Sequence, residues 1–194
     1  MTNYCKSLLI FFILCPIILL GQGFVITGAD VNGEASNDYS GWSVSLDADG
    51  DRMAVGAPYN DGNGGNSGHV RVYALSSGSW TQLGSDINGE ASNDHSGYSV
   101  SMNDAGDRVA IGAPYNDGAS NSSGHVRVYA YSSGSWTQLG SDINGNPSND
   151  ESGWSVSMNA AGDRVAIGAR GHDDSANDAG HVRVYAYSSK AWTP

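Results

Sequence analysis

Gly68-His69-Val70-Arg71-Val72-Tyr73 recurs as Gly124-His125-Val126-Arg127-Val128-Tyr129 and again as Gly180-His181-Val182-Arg183-Val184-Tyr185. The stretch alternates: Val70, Val72 and Ala74 share one face, and His69, Arg71 and Tyr73 the other. That period of two is a β-strand with both faces covered. The step between copies is 56 residues with no insertion. A second motif keeps the same step, Gly41-Trp42-Ser43-Val44-Ser45 returning as Gly97-Tyr98-Ser99-Val100-Ser101 and Gly153-Trp154-Ser155-Val156-Ser157. A fixed period of this length marks a repeat architecture.

Each unit reads as four short strands. In the first unit they are residues 42–46, 52–57, 69–75 and 80–85. Asp47-Ala48-Asp49-Gly50-Asp51 is a tight turn, with Gly50 at a left-handed position. Pro58 ends the second strand, and Ser76-Ser77-Gly78-Ser79 is a hairpin turn. No segment has helical periodicity. Four strands in a unit of roughly 40–50 residues, repeated, is the pattern of a propeller blade. The predicted fold is an all-β propeller of four-stranded antiparallel blades. Residues 24–194 hold about three of them, in units 41–96, 97–152 and 153–194. Propellers have about four to eight blades, so the chain is expected to be part of a larger ring. The alternative is that the strand near Phe24 closes the ring by completing the last blade. Open blade edges predict self-association.

Lys6 followed by an apolar run over residues 8–20, ended by Gly21-Gln22-Gly23, has the order of a secretory signal, assigned to residues 1–23. The run is shorter than the roughly 20 apolar residues of a membrane span. An uncleaved anchor is the alternative. Both cysteines, Cys5 and Cys15, lie in this segment. The exported part has no disulfides and no cysteine for a zinc knot. The net charge is −11, which argues against nucleic acid and anionic membrane surfaces as partners. The expected location is secreted or cell-surface.

Ser40-Gly41-Trp42-Ser43-Val44-Ser45, Ala54-Val55-Gly56-Ala57-Pro58 and Gly68-His69-Val70-Arg71-Val72-Tyr73 together resemble FG-GAP repeats, the blades of the integrin α-subunit N-terminal propeller and of many bacterial surface proteins. The Gly-Ala-Pro element stands at Gly56 and Gly112 and becomes Gly168-Ala169-Arg170 in the third unit. Tyr39, His95 and Glu151 stand near the place of the family's Phe. The resemblance implies a β-propeller serving adhesion or ligand binding, and not an enzyme. It also implies calcium on a D-x-D-x-D-G-x-x-D hairpin between the first two strands. Here that hairpin is about three residues shorter and lacks the final Asp. In the later units it becomes Asn103-Asp104-Ala105-Gly106-Asp107 and Asn159-Ala160-Ala161-Gly162-Asp163. It reads as a turn that has lost the site.

The candidate metal residues lie instead in the connections between blades. Asp30, Asn32, Glu34 and Asp38 place oxygens at positions 1, 3, 5 and 9, and Asp86, Asn88, Glu90 and Asp94 repeat them. A third copy has Asp142, Asn144, Asn146 and Asp150. The spacing suits a calcium loop. It suits equally an Asx-rich turn bonding its own backbone. The repeated His69, His125 and His181 read as cross-strand partners. Trp42, Tyr98 and Trp154, with Trp80, Trp136 and Trp192, read as packing between blades, with sugar stacking as the alternative. Arg170-Gly171-His172-Asp173-Asp174 is the most irregular stretch, and Asn121-Ser122-Ser123 is a single glycosylation sequon. No nucleophile elbow, HExxH or P-loop occurs. The expected function is a non-enzymatic binding or adhesion module for a protein or glycan. A purely structural repeat and an exported carbohydrate-active enzyme are the alternatives. If the linkers hold calcium, adding a chelator lowers the melting temperature; an unchanged melt excludes it.

Overall fold

The computed structural model describes residues 27–173 and 176–194. The export signal expected at residues 1–23 lies outside the described residues. Every regular element among the described residues is a strand. The first blade is β1 (Ser43–Leu46), β2 (Arg52–Ala57), β3 (His69–Ser76) and β4 (Ser79–Gln82), with a short β5 (Ile87–Asn88). The second repeats it as β6 (Ser99–Met102), β7 (Arg108–Ala113), β8 (His125–Ser132), β9 (Ser135–Gln138) and β10 (Ile143–Asn144). The third is β11 (Ser152–Met158), β12 (Arg164–Ala169), β13 (His181–Ser188) and β14 (Ala191–Thr193). The four main strands pair antiparallel in chain order within each blade, and β5 and β10 pair back onto β3 and β8. The first strands lie side by side, β6 packing against both β1 and β11. These are blades of a β-propeller, as the repeat predicts.

The turns follow from the residues that form them. Ser77 and Gly78 both have positive φ, 50° and 78°, closing a two-residue hairpin whose twist matches the strands. Asp47 Oδ1 accepts from the amides of Asp51 and Arg52 at 3.0 and 3.1 Å. Asn103 and Asn159 cap their turns in the same way. The conserved task at this position is to cap the backbone, which either Asp or Asn performs.

The expected fourth strand over 80–85 is interrupted. Leu83 N–H still donates to Val72 C=O at 2.7 Å, and β5 resumes opposite Val70. Gly84, Ser85 and Asp86 therefore stand opposite Arg71 alone. Gly84 has φ +80°, and a Cβ there would lie 2.9 Å from the Trp136 ring. The indole Nε1 donates to Leu83 C=O at 2.7 Å. Trp192 makes the same bond to Leu139 C=O. The tryptophans of the fourth strands thus latch one blade to the one before it.

The core lies between blades. Val109 and Ile111 of β7 join Val100 and Met102 in packing against Ala54, Val70, Val72 and Ile87 of the first blade. Ala110, Val126, Val128 and Ile143 face Val165 and Ile167 of the third. A blade is apolar on both faces because each is half of a different core. Outward, Val44 and Leu46 on one end face and Val182 and Val184 on the other are exposed.

Two glycines set the spacing. A Cβ on Gly56 would lie 2.1 Å from Gly97 C=O, and one on Gly112 the same distance from Gly153 C=O. Gly56→Ala and Gly112→Ala are each expected to destabilise by about 1–3 kcal/mol, because a backbone atom has to move. Gly168→Ala meets only the Ser155 hydroxyl at 2.4 Å, a side chain free to rotate, and is expected to be near neutral. Chemical-denaturation midpoints of the three variants check the contrast.

Candidate functional site

The linker carboxylates are grouped in space differently from their grouping in sequence. Asp86 binds Arg71 in a fork, Nε to Oδ1 at 2.9 Å and Nη2 to Oδ2 at 3.0 Å, and also accepts from Gln82. Glu34, from the preceding linker, is ion-paired to the same guanidinium. Arg127 is held identically by Asp142 and Glu90. Asp86 and Glu90, four residues apart, thus serve arginines on different blades. Asp38 and Asp94 are buried and accept from Asn60 and Asn116 at 2.8 and 2.9 Å. Asp30, Asn32 and Asn88 are exposed. Asp86, Asn88, Glu90 and Asp94 do not surround one point. What the fold assembles is one acid from each of two successive linkers, around an arginine that already supplies the cation.

His69 and His125 are buried beside these forks, each Nδ1 3.9 Å from the Asp86 or Asp142 carboxylate. Burial, then the neighbouring guanidinium, lowers their pKa, keeping the rings neutral. The arginines are pushed further into the charged range by the acids.

A second constellation runs across one end of all three blades. Trp42 and Tyr98 immediately precede β1 and β6, Trp154 lies near the start of β11, and the loops after the second strands supply Tyr59 and Tyr115. Trp42 lies 5.4 Å from Tyr98, and Tyr98 4.6 Å from Trp154, between ring centroids. Tyr59, His95 and Tyr115 form a parallel row at 4.6 and 5.1 Å, cross-linked through Trp42–Tyr59 at 5.8 Å. Tyr39 extends the band beyond Tyr59. At the other end the Arg170 guanidinium stacks 3.5 Å over Trp154 and is ion-paired with Glu151. Tyr39 and Trp42 are 57% and 48% exposed, so the rings pack on each other yet keep open faces. A cavity of about 330 Å³ opens among Tyr59, Asn93, His95, Tyr115, Asp117 and Asn121. Burial raises the pKa of Tyr98 and Tyr115, leaving their hydroxyls protonated as donors.

The first-strand aromatics were legible from the sequence. Tyr39, Tyr59, His95 and Tyr115 were not singled out as part of a band. The available signal was Pro58-Tyr59 recurring as Pro114-Tyr115, an aromatic at the same phase of a loop.

The arginine hydrogen bonds hold Asp86 and Asp142 below the usual carboxylate range. A carboxyl whose pKa falls on folding adds stability above its unfolded value of about 3.9, and loses it as pH drops through the lower folded value. Stability is expected to decline as pH falls below about 4. Arg127→Gln is expected to lower stability at neutral pH and to flatten that decline. Urea midpoints over the acid range check both.

No curated protein matches the sequence. Among solved structures, the chain is similar to the periplasmic gluconolactonase of Pseudomonas aeruginosa, at 16% identity and TM-score 0.51, covering 85% of this chain and 46% of that one. It is also similar to a candidate 6-phosphogluconolactonase of Bacteroides uniformis, at 11% identity and TM-score 0.52, covering 78% of this chain and 38% of that one. At these identities the likeness is one of fold. The chain spans less than half the length of either structure. The family profile of the FG-GAP repeat matches residues 26–73. Those residues run from the first linker through β1 and β2 into β3, so an FG-GAP repeat is matched on the first blade of this β-propeller fold, and the next two units return the same sequence motifs in phase.

Proposed function

We propose that the protein is an extracellular, non-enzymatic binding module that takes glycan ligands along the aromatic band. The observation that carries this reading is the continuous row of partly exposed rings across three blades, with side-chain amides and carboxylates at its edge. An aromatic face accepts the apolar face of a pyranose ring, and carboxamides such as Asn93 and Asn121 bond its hydroxyls. The rings are anchored at strand starts and on each other, so little ordering entropy opposes binding. The FG-GAP repeat supports a surface location and an adhesive role.

A second reading, a structural segment of a larger surface assembly, is favoured by the exposed Val44, Leu46, Val182 and Val184 on the two end faces. Light scattering of the purified chain addresses it: a concentration-dependent oligomer supports association through these faces, and a monomer at high concentration counts against it.

Glycan-array screening of the purified chain is expected to return oligosaccharide ligands. Trp42→Ala and Tyr98→Ala are expected to weaken the best of them at least about tenfold, a loss of roughly 1.4 kcal/mol or more. An array with no ligand, or variants that bind as well as the parent, refutes the glycan reading. Capture of a defined protein ligand lost in the same variants would move the band to protein recognition.

A further inference from the structure

The third unit departs from the other two at one buried place. In the first unit Asn60 Nδ2 donates to Asp38, and in the second Asn116 Nδ2 donates to Asp94. Two repeat steps on from Asn60, the residue is His172. Its Nδ1 lies 2.6 Å from Asp150 Oδ1, and its ring centroid lies 3.8 Å from that of His181. His181 is the third copy of the repeated strand histidine. Asp150 is fully buried, His172 is 4% exposed, and His181 is half-buried. The substitution of an imidazole for an amide thus turns a structural Asp–Asn pair into two imidazoles and a carboxylate at one point.

We propose that Asp150, His172 and His181 form a binding site for a zinc-class divalent transition metal. One donor atom from each lies within 4.8 Å of the others. A tetrahedral zinc, with ligands at about 2.0–2.1 Å, sets its donor atoms roughly 3.4 Å apart, so side-chain rotations close the set. Two nitrogens and one carboxylate oxygen suit zinc and its first-row neighbours, whereas calcium takes six to eight oxygens. The surroundings hold the ligands in place. Asn146 N–H donates to Asp150 Oδ2 at 3.0 Å, and Gly180 N–H donates to His172 C=O at 2.9 Å. His181 also lines a cavity of about 360 Å³ with Trp154 and Gly180, which leaves a coordination position reachable by water or a ligand group.

The same three-residue test separates this place from its relatives. Glu34, His69 and Asp86 also cluster, as do Glu90, His125 and Asp142. In both, an arginine guanidinium is bound to the two carboxylates, so the cation position is taken. In the third unit Asn146 replaces the glutamate, and Arg183 has no ion pair among the described residues.

Calorimetric titration of the metal-free full chain with zinc tests the proposal, with cobalt absorption as the spectroscopic readout. One equivalent is expected to bind, cobalt to give a visible band of nitrogen–oxygen coordination, and zinc to raise the melting temperature. His172→Asn rebuilds the Asp–Asn pair of the first two units, so the fold is kept, and affinity is expected to fall at least about 100-fold. His181→Gln is expected to do the same, and His69→Asn to change nothing. Absence of one-equivalent binding overturns the site. So does binding that survives both His172→Asn and His181→Gln, or that is lost in His69→Asn.

Discussion

The close approach of one blade's inner strand to the next is the constraint on which the rest of the structure depends. Gly41 N–H donates to Gly56 C=O within a blade, and Gly97 N–H to Gly112 C=O in the next. Between blades, the Ser43 hydroxyl donates to Gly97 C=O at 2.7 Å, and Ser99 to Gly153 C=O at 2.7 Å. Backbone rests on backbone, with a serine hydroxyl satisfying the carbonyl that the contact would otherwise bury unpaired. The two glycines of the motif are therefore one interface seen from its two sides. Ser45 and Ser101 repeat the device further along, each accepting from a neighbouring blade's amide.

That contact explains why the ends of the blades carry chemistry. Once inner strands sit this close, whatever begins them must touch. Trp42, Tyr98 and Trp154 become a continuous row, and the hairpins at the opposite end join through Ala48 N–H to Asp104 C=O and Arg52 to Gly106 C=O. The same repeat geometry sets Glu34 and Asp86, 52 residues apart in sequence, on one guanidinium. An acidic chain of net charge −11 thus places Arg71 and Arg127 where two acids would otherwise repel. These forks are partly buried and bidentate, the geometry in which ion pairs contribute most.

Repetition also makes departures informative. Asn60 and Asn116 show what the third position needs structurally, a donor to a buried carboxylate. His172 meets that need and adds a second nitrogen beside His181. In the same unit Arg170 replaces Pro58 and Pro114, and stacks on Trp154 where the other units place a tyrosine. Two of the unit's changes thus fall at one end of one blade, which is how a functional position emerges from an array whose other positions are held by packing.

The sequence alone determined the repeat step, the blade, three of its four strands nearly to the residue, and the tight turns, since each follows from local alternation and from glycine, asparagine or aspartate at fixed phase. It also marked the hairpin between the first two strands as a tight turn, and the structure added that Asp47, Asn103 and Asn159 cap it. It did not determine the break in the fourth strand, because that bulge is fixed by Trp136 of the next blade lying on Gly84. Nor did it determine the partners of the linker acids. Spacing along the chain suggested that Asp86, Asn88, Glu90 and Asp94 face one centre, but blade stacking sends Asp86 to Arg71 and Glu90 to Arg127. The aromatic band and the Asp150–His172–His181 group likewise join residues from different strands and loops. Local periodicity specifies which way a side chain faces; only the approach of one blade to the next specifies what it meets.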